Sequence, residues 1–193
     1  MNRKWNWVQA FPQSCAVDVR LVTRLLPRRL FRTTTSGTIE IACGEERLIL
    51  PSRVYFEEVP EEKIQALTKR QRWLLYCLYT RHHDGYIREK YVRRLEAEQA
   101  DADWVLPYLI ELTGEYVYEI LERIEPMLHD WSEMQLSSFV QTDDVYMARI
   151  EQRIISYWNL HQRTAYPILW DSSYVGFRIG EYYWLKRRPG VRS

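Results

Sequence analysis

The chain is poor in the residues on which several classes of protein depend. Its three cysteines, spaced about thirty apart, are too few and too scattered for a disulfide framework and favour a reducing compartment. Its seven scattered glycines form no phosphate-binding loop. Its apolar runs are far shorter than a membrane span, and no continuous apolar core follows the basic residues 1–4. These absences predict a cytoplasmic protein without a leader or a membrane segment.

The chain also lacks a large charge of one sign, although its charges are segregated. The net charge of +1 is the balance of +6 over residues 1–36, −9 over residues 37–160 and +4 over residues 161–193. We expect the basic ends to pack onto the acidic middle; the alternative is that they are arms for an acidic partner. Because the pI of about 7.7 is well below that of a dedicated nucleic-acid binder, nucleic acid is not the expected partner.

Aromatic residues, by contrast, are plentiful. The chain has 8 Trp and 14 Tyr, while its 46% hydrophobic and 27% charged residues are typical of a globular protein. Tyr and Trp are enriched at interfaces because one end of the ring is apolar and the other end forms hydrogen bonds. The composition therefore favours a folded chain with aromatic rings in its core or on a binding surface.

The hydrophobic period divides the chain into three parts of one expected domain over residues 1–193. Residues 1–58 form an N-terminal arm and a small antiparallel β-sheet, and residues 60–161 form a helical body. Residues 162–193 form an aromatic, basic tail. It contains Gly176 and Gly180 and is expected to be irregular or short-stranded from Tyr166 to Arg188. The fold class predicted from these parts is mainly α (α+β), a multi-helix domain with a small sheet.

Local signals place the elements of the N-terminal part. Apolar residues between Pro12 and Pro27 predict a short amphipathic helix. Alternation at residues 38–42 and 47–50 predicts two paired strands, and residues 53–56 are expected to add a third.

From Pro60 onward the period is that of a helix, and polar capping residues mark where new helices begin. The capping residues are Thr68, Asp84, Asp103 and Ser132. The expected helices cover residues 67–80, 85–98, 103–125 and 132–161. Gly114 is a candidate break in the third of these, and an interruption is expected near residues 142–144 in the fourth.

A motif on the second of these helices has a counterpart among helical repeat proteins. Its positions are Asp84, Gly85, Ile87, Arg88, Tyr91, Val92 and Leu95. This pattern resembles the second helix of a HEAT-like repeat, and Val105 to Leu112 looks like the first helix of the following repeat. The resemblance covers about residues 70–125 and implies a scaffold or binding role.

The segment between the first two of these helices carries the only adjacent histidines, His82 and His83, followed by Asp84. One hypothesis is a catalytic site in which these residues meet Glu115 and Glu119 through folding. Adjacent histidines point about 100° apart on a helix, so they are not spaced as ligands of one metal. No metal site and no cofactor are expected. The alternative is that one histidine packs against or caps the preceding helix.

Arg88 lies inside the apolar arc of its helix. A buried guanidinium needs a carboxylate, so we expect it to pair with Glu111, Glu115 or Glu119 on the neighbouring helix. The pair is either an anion-binding site in a cleft or a structural ion pair. The narrow acidic face of the neighbouring helix consists of Glu111, Glu115, Glu119 and Glu122. The candidate binding residues are Arg88, Tyr108, Glu111 and Tyr118.

The sequence predicts a non-catalytic, cytosolic protein-binding module of the adaptor, inhibitor or immunity type. One alternative is an enzyme with its site at the joint of residues 82–84. The other is a nucleic-acid accessory protein that uses its basic termini. An enzyme should have a concave pocket in which a histidine of the joint meets Glu115 or Glu119, whereas a binding protein should have a flat, aromatic-rich patch.

Overall fold

The described part of the chain contains one β-hairpin, nine α-helices, three short 3-10 helices and one π-helix, Trp158–Gln162. The computed structural model describes residues 5–27 and 35–187, without the side chains of residue 133 and residues 183–187. The predicted class, mainly α with a small N-terminal antiparallel sheet, is confirmed. Nine of the thirteen Lys and Arg side chains at the two basic ends lie outside the described part of the chain, so the packing of these ends onto the acidic middle stays a prediction.

The chain divides into two compact units. The N-terminal unit is Met1–Val105 and the C-terminal unit is Leu106–Ser193. The single domain expected over residues 1–193 stays a prediction.

The N-terminal unit begins with two short 3-10 helices, Trp7–Ala10 and Gln13–Cys15, followed by α1, Ala16–Leu25. The amphipathic helix predicted between Pro12 and Pro27 is therefore confirmed. Its inner face buries Ala16, Val19 and Val22.

The sheet pairs β1, Thr35–Cys43, with β2, Glu46–Val54. Their inner face is apolar, and Ile41 is paired with Leu48 in the register. Gly44 has a φ of +60° in the connecting turn, a conformation that favours glycine. The third strand predicted at residues 53–56 is wrong. The backbone of Val54 bonds instead to the loop after the next long helix, donating to the Arg81 carbonyl and accepting from the His83 amide.

Three helices complete the N-terminal unit: α2, Glu61–Gln65, α3, Lys69–Tyr79, and α4, Gly85–Ala97. The caps at Thr68 and Asp84 are confirmed. α3 packs against both α1 and α4, so it is buried almost all round from Trp73 onward. Cys77 lies in this core, and burial raises its thiol pKa well above the ordinary value.

The C-terminal unit begins with α5, Leu106–Thr113, and α6, Tyr118–His129. The expected helix over residues 103–125 is thus broken after Gly114, the candidate break, and residues 103–105 form a 3-10 turn. The next pair is α7, Glu133–Thr142, and α8, Asp144–Tyr157. The expected interruption is confirmed: Asp143 ends α7 and caps α8 by accepting from the Tyr146 amide.

The last element is α9, Val175–Arg187, which packs against α6, α7 and α8. The irregular or short-stranded tail expected from the sequence is wrong over this range. Gly176 and Gly180 suggested irregular backbone, but both serve close packing. A Cβ added at Gly176 would lie 2.5 Å from the Tyr174 ring, and one at Gly180 would lie 2.8 Å from the Trp170 ring.

Candidate functional site

The joint between α3 and α4 is built around His82, which is 2% exposed. Its Nδ1 accepts a hydrogen bond from the Asp84 amide at 3.1 Å. Its Nε2 must then carry the proton, which it donates to the Phe56 carbonyl at 3.0 Å. Burial lowers the pKa of His82 and outweighs the hydrogen bond to Phe56, so the neutral ring is favoured. Both ring nitrogens of this histidine are used by the fold.

The two neighbours of His82 in the motif have different surroundings. His83 is exposed, and its ring stacks on Tyr55 with the centroids 4.9 Å apart. Asp84 caps α4, because its Oδ1 accepts from the Tyr86 amide at 2.9 Å. Of the two adjacent histidines, therefore, His82 alone lies in the core.

Two buried arginines hold the backbone around the joint. Arg88 is buried, as predicted, and its Nη1 donates to the His82 and His83 carbonyls at 2.9 and 3.0 Å. Arg81 donates to the carbonyls of Pro51 and Ser52 in β2. The burial of Arg88 was predictable from its position in the apolar arc of its helix. Its carbonyl partners were not predictable, because no sequence pattern marks them. The pairing of Arg88 with Glu111, Glu115 or Glu119 stays a prediction.

In the C-terminal unit, the buried carboxylate of Glu111 is bound by two side chains of α8. The hydroxyl of Tyr146 donates to it at 2.9 Å, and the Arg153 guanidinium forms an ion pair with it. Arg153 Nη2 also lies 3.9 Å from an oxygen of the buried Glu115. Burial lowers the pKa of Arg153, but the carboxylates of Glu111 and Glu115 reverse this effect, and the pKa is raised.

The acidic face expected along residues 111–122 is wrong. The break after Gly114 separates its members: Glu111 and Glu115 are buried, whereas Glu119 and Glu122 are exposed on α6. The expected row of like charges therefore does not form a single surface.

The two tyrosines proposed as binding residues also differ. Tyr108 is fully buried in α5. Tyr118 is half-buried, and its hydroxyl lies 3.2 Å from the hydroxyl of Tyr166. This hydrogen bond, assisted by burial, raises the pKa of Tyr118 to about 12. The binding role of either tyrosine stays a prediction.

Sequence reasoning missed a polar cluster around Glu98, the C-cap residue of α4. Its carboxylate accepts from Arg72 at 2.7 Å, from the Trp73 indole at 3.1 Å and from the Tyr76 hydroxyl at 3.3 Å. Burial, and after it the charge of Glu98, raises the pKa of Tyr76. Arg72 and Tyr76 are four apart on α3 and so share one helical face, but their partner lies over twenty residues away, beyond any local pattern.

A surface cavity beside this cluster was also missed. Its volume is about 460 Å³, within the range of small ligand sites. The residues that line it are Lys69, Arg70, Trp73, Ala102 and Trp104. The ammonium of Lys69 lies 4.8 Å from the centroid of the Trp73 ring. The cavity thus combines indole walls with two cations.

Among the described residues, no group of three His, Cys, Asp or Glu side chains is arranged to hold a metal ion. In that same part of the chain, no helix has both the length and the apolar character needed to cross a bilayer. No protein-family model, no curated protein and no solved structure matches the chain.

Proposed function

We propose that the chain is a non-catalytic, cytoplasmic protein-binding module. The observation that carries this proposal is the state of His82, the strongest candidate for a catalytic group. A general base needs a ring nitrogen that can reach the substrate, but both nitrogens of His82 bond to the backbone inside the fold. Asp84 is a helix cap, and Arg88 donates to carbonyls of the joint.

Apolar side chains on the surface support protein binding, as opposed to catalysis, as the function of the chain. Among the described residues, nine large hydrophobic side chains are exposed. They are Val17, Leu21, Tyr86, Tyr116, Met134, Val145, Leu160, Ile168 and Leu169. Side chains of this kind gain free energy when a partner removes them from water.

The HEAT-like scaffold remains part of this proposal and rests on the sequence resemblance. α3 packs against α4, α5 against α6 and α7 against α8, although α3 also packs against α1 and α7 against α9. Successive helix pairs are the building unit of HEAT-like repeats, which bind other proteins through extended surfaces.

The proposal is tested by affinity capture from native lysate on the immobilised full chain, after nuclease treatment. We expect at least one protein to be retained and to be displaced by excess untagged chain, with saturable binding when that protein is purified. His82→Gln should leave this affinity within about twofold, because the ring lies inside the fold. The absence of any displaceable protein, or retention that nuclease abolishes, would contradict the proposal.

A further inference from the structure

The outer face of α1 exposes two aliphatic side chains to solvent. Val17 is 68% exposed and Leu21 is 43% exposed, while Val19 and Val22 anchor the opposite face in the core. Residues four apart lie on the same side of a helix, so Val17 and Leu21 form a short apolar stripe along α1. A stripe with this spacing is the surface against which a second helix packs.

Two arginines are interleaved with this stripe. Arg20 and Arg24 are exposed on the same face and are also four apart. Within the described part of the chain, neither guanidinium contacts a carboxylate, in contrast to the ion-paired Arg47 and Arg93 of the same unit. Carboxylates on a partner would therefore find two cations available at the edge of the apolar stripe.

The cavity lined by Lys69 and Arg70 adjoins the start of this helix. Arg70 lines the cavity and also donates to the Ser14 carbonyl at 2.8 Å, and its Nε lies 3.5 Å from the carboxylate of Asp18 in α1. Trp73 and Trp104 give the cavity apolar walls. Interfaces of high affinity bury an aromatic anchor in such a cavity, surrounded by charged contacts.

We infer that the outer face of α1 and the adjoining cavity form one docking surface for an acidic, amphipathic helix of another protein. This inference rests on the protein-binding function proposed above and names its surface. The aliphatic stripe of the partner would pack on Val17 and Leu21, and its carboxylates would pair with Arg20 and Arg24. One aromatic side chain of the partner would enter the cavity and contact its indole walls.

The same surface is less suited to a lipid or a nucleic acid. Insertion into a bilayer favours a broad apolar face with aromatic residues, whereas α1 exposes two aliphatic side chains. Single-stranded nucleic acid stacks on exposed rings, whereas Trp73 and Trp104 are each only 8% exposed.

The test is the binding of a fluorescein-labelled synthetic helix, about twenty residues long, that carries a leucine stripe, one tryptophan and flanking glutamates. We expect saturable binding that weakens as the ionic strength rises. Arg20→Glu with Arg24→Glu should weaken binding at least about tenfold. A peptide with lysine in place of glutamate should regain the lost affinity on this variant. If the variant were merely misfolded, this peptide would not regain affinity.

Two further double variants distinguish the role of this surface from non-specific effects of charge or stability on peptide binding. Arg47→Glu with Arg93→Glu makes the same charge change elsewhere on the unit and should leave peptide affinity within about threefold. Val17→Ser with Leu21→Ser should weaken binding of the acidic peptide while thermal stability stays close to wild type, since both side chains are exposed.

The inference is overturned if the acidic peptide does not bind, or if the charge-swapped pair does not recover affinity. It is also overturned if anionic vesicles or a single-stranded oligonucleotide bind and displace the peptide. A natural partner that binds wild type and the Arg20→Glu, Arg24→Glu variant equally would leave the protein-binding function standing and reject this surface alone.

Discussion

At the scale of single residues, His82 links three segments of the N-terminal unit. Its ring bonds to Phe56 after the sheet and to Asp84 at the start of α4, while its own carbonyl accepts from Arg88. The ring must be neutral to form these bonds, because a protonated Nδ1 would face the Asp84 amide and both groups would be donors. The histidine that sequence reasoning proposed as catalytic is thus a structural part of the joint.

This bonding predicts how stability depends on pH. Because the pKa of His82 is lowered in the folded state, the unfolded chain binds more protons near and below the ordinary histidine pKa of 6.5. The stabilisation should be complete above about pH 6.5 and be lost as the pH falls through the folded pKa. Chemical denaturation between pH 8 and pH 5 measures this slope.

His82→Gln should lower the free energy of unfolding at pH 7 by about 1–3 kcal/mol and flatten the pH dependence. The matched variant His83→Gln removes an exposed ring and should cost about 0.5 kcal/mol or less at pH 7. A wild-type slope that survives in His82→Gln would mean that other groups cause it.

A second prediction concerns the buried ion pair of the C-terminal unit. Arg153→Met removes a cation from Glu111 and Glu115, and we expect it to lower the free energy of unfolding by about 3–5 kcal/mol. Adding Glu111→Gln should recover part of this loss, because one buried charge is removed. Urea unfolding of the single and double variants checks both values, and additive losses would argue against the coupling.

Residue roles were predictable where the signal was local. Asp84 and Thr68 were identified as caps because the motif lies within four residues. The partners of Glu111 and Glu98 were not, since Arg153 is 42 residues from Glu111 and Arg72 is 26 residues from Glu98. Such pairings depend on how helices pack, and a spacing rule within one helix carries no information about them.

At the scale of elements, α9 shows why its two glycines led to the wrong prediction of an irregular tail. Glycine lowers helix propensity by about 1 kcal/mol per residue, which favours an irregular segment. In α9 the missing side chains admit the rings of Tyr174 and Trp170, and this packing offsets the lower propensity. Trp170 itself has a φ of +62°, which is rare for a bulky residue and is held by contacts with Phe177 and α9.

Gly180→Ala should therefore destabilise the protein even though alanine is the better helix former. The added Cβ would lie 2.8 Å from the Trp170 ring, so the ring must move, at a cost of about 1–3 kcal/mol. Glu181→Ala, the exposed neighbour in the same helix, should change stability by about 0.5 kcal/mol or less. Thermal denaturation compares the two, and a Gly180→Ala protein that is more stable than wild type would contradict this packing.

At the scale of the whole molecule, the sequence predicts one domain, and the two compact units make this testable. A single domain unfolds in one cooperative transition that variants in either unit destabilise. We expect His82→Gln and Arg153→Met to lower the midpoint of the same urea transition, with circular dichroism and tryptophan fluorescence coinciding. Two separable transitions, each moved by one variant, would show two domains.

The cysteines of the N-terminal unit have a practical consequence. Cys15 and Cys77 are buried, and burial, with Asp103 and Glu46 nearby, raises the pKa of the half-buried Cys43 to about 11. The Cys43 thiol is then almost entirely protonated at pH 7, whereas the thiolate is the form that reacts with maleimides. A cysteine introduced at an exposed position, such as Tyr86→Cys, would take up a spectroscopic label with little labelling of the three native cysteines. The natural chain is thus ready for distance measurements in a complex without prior removal of its own thiols.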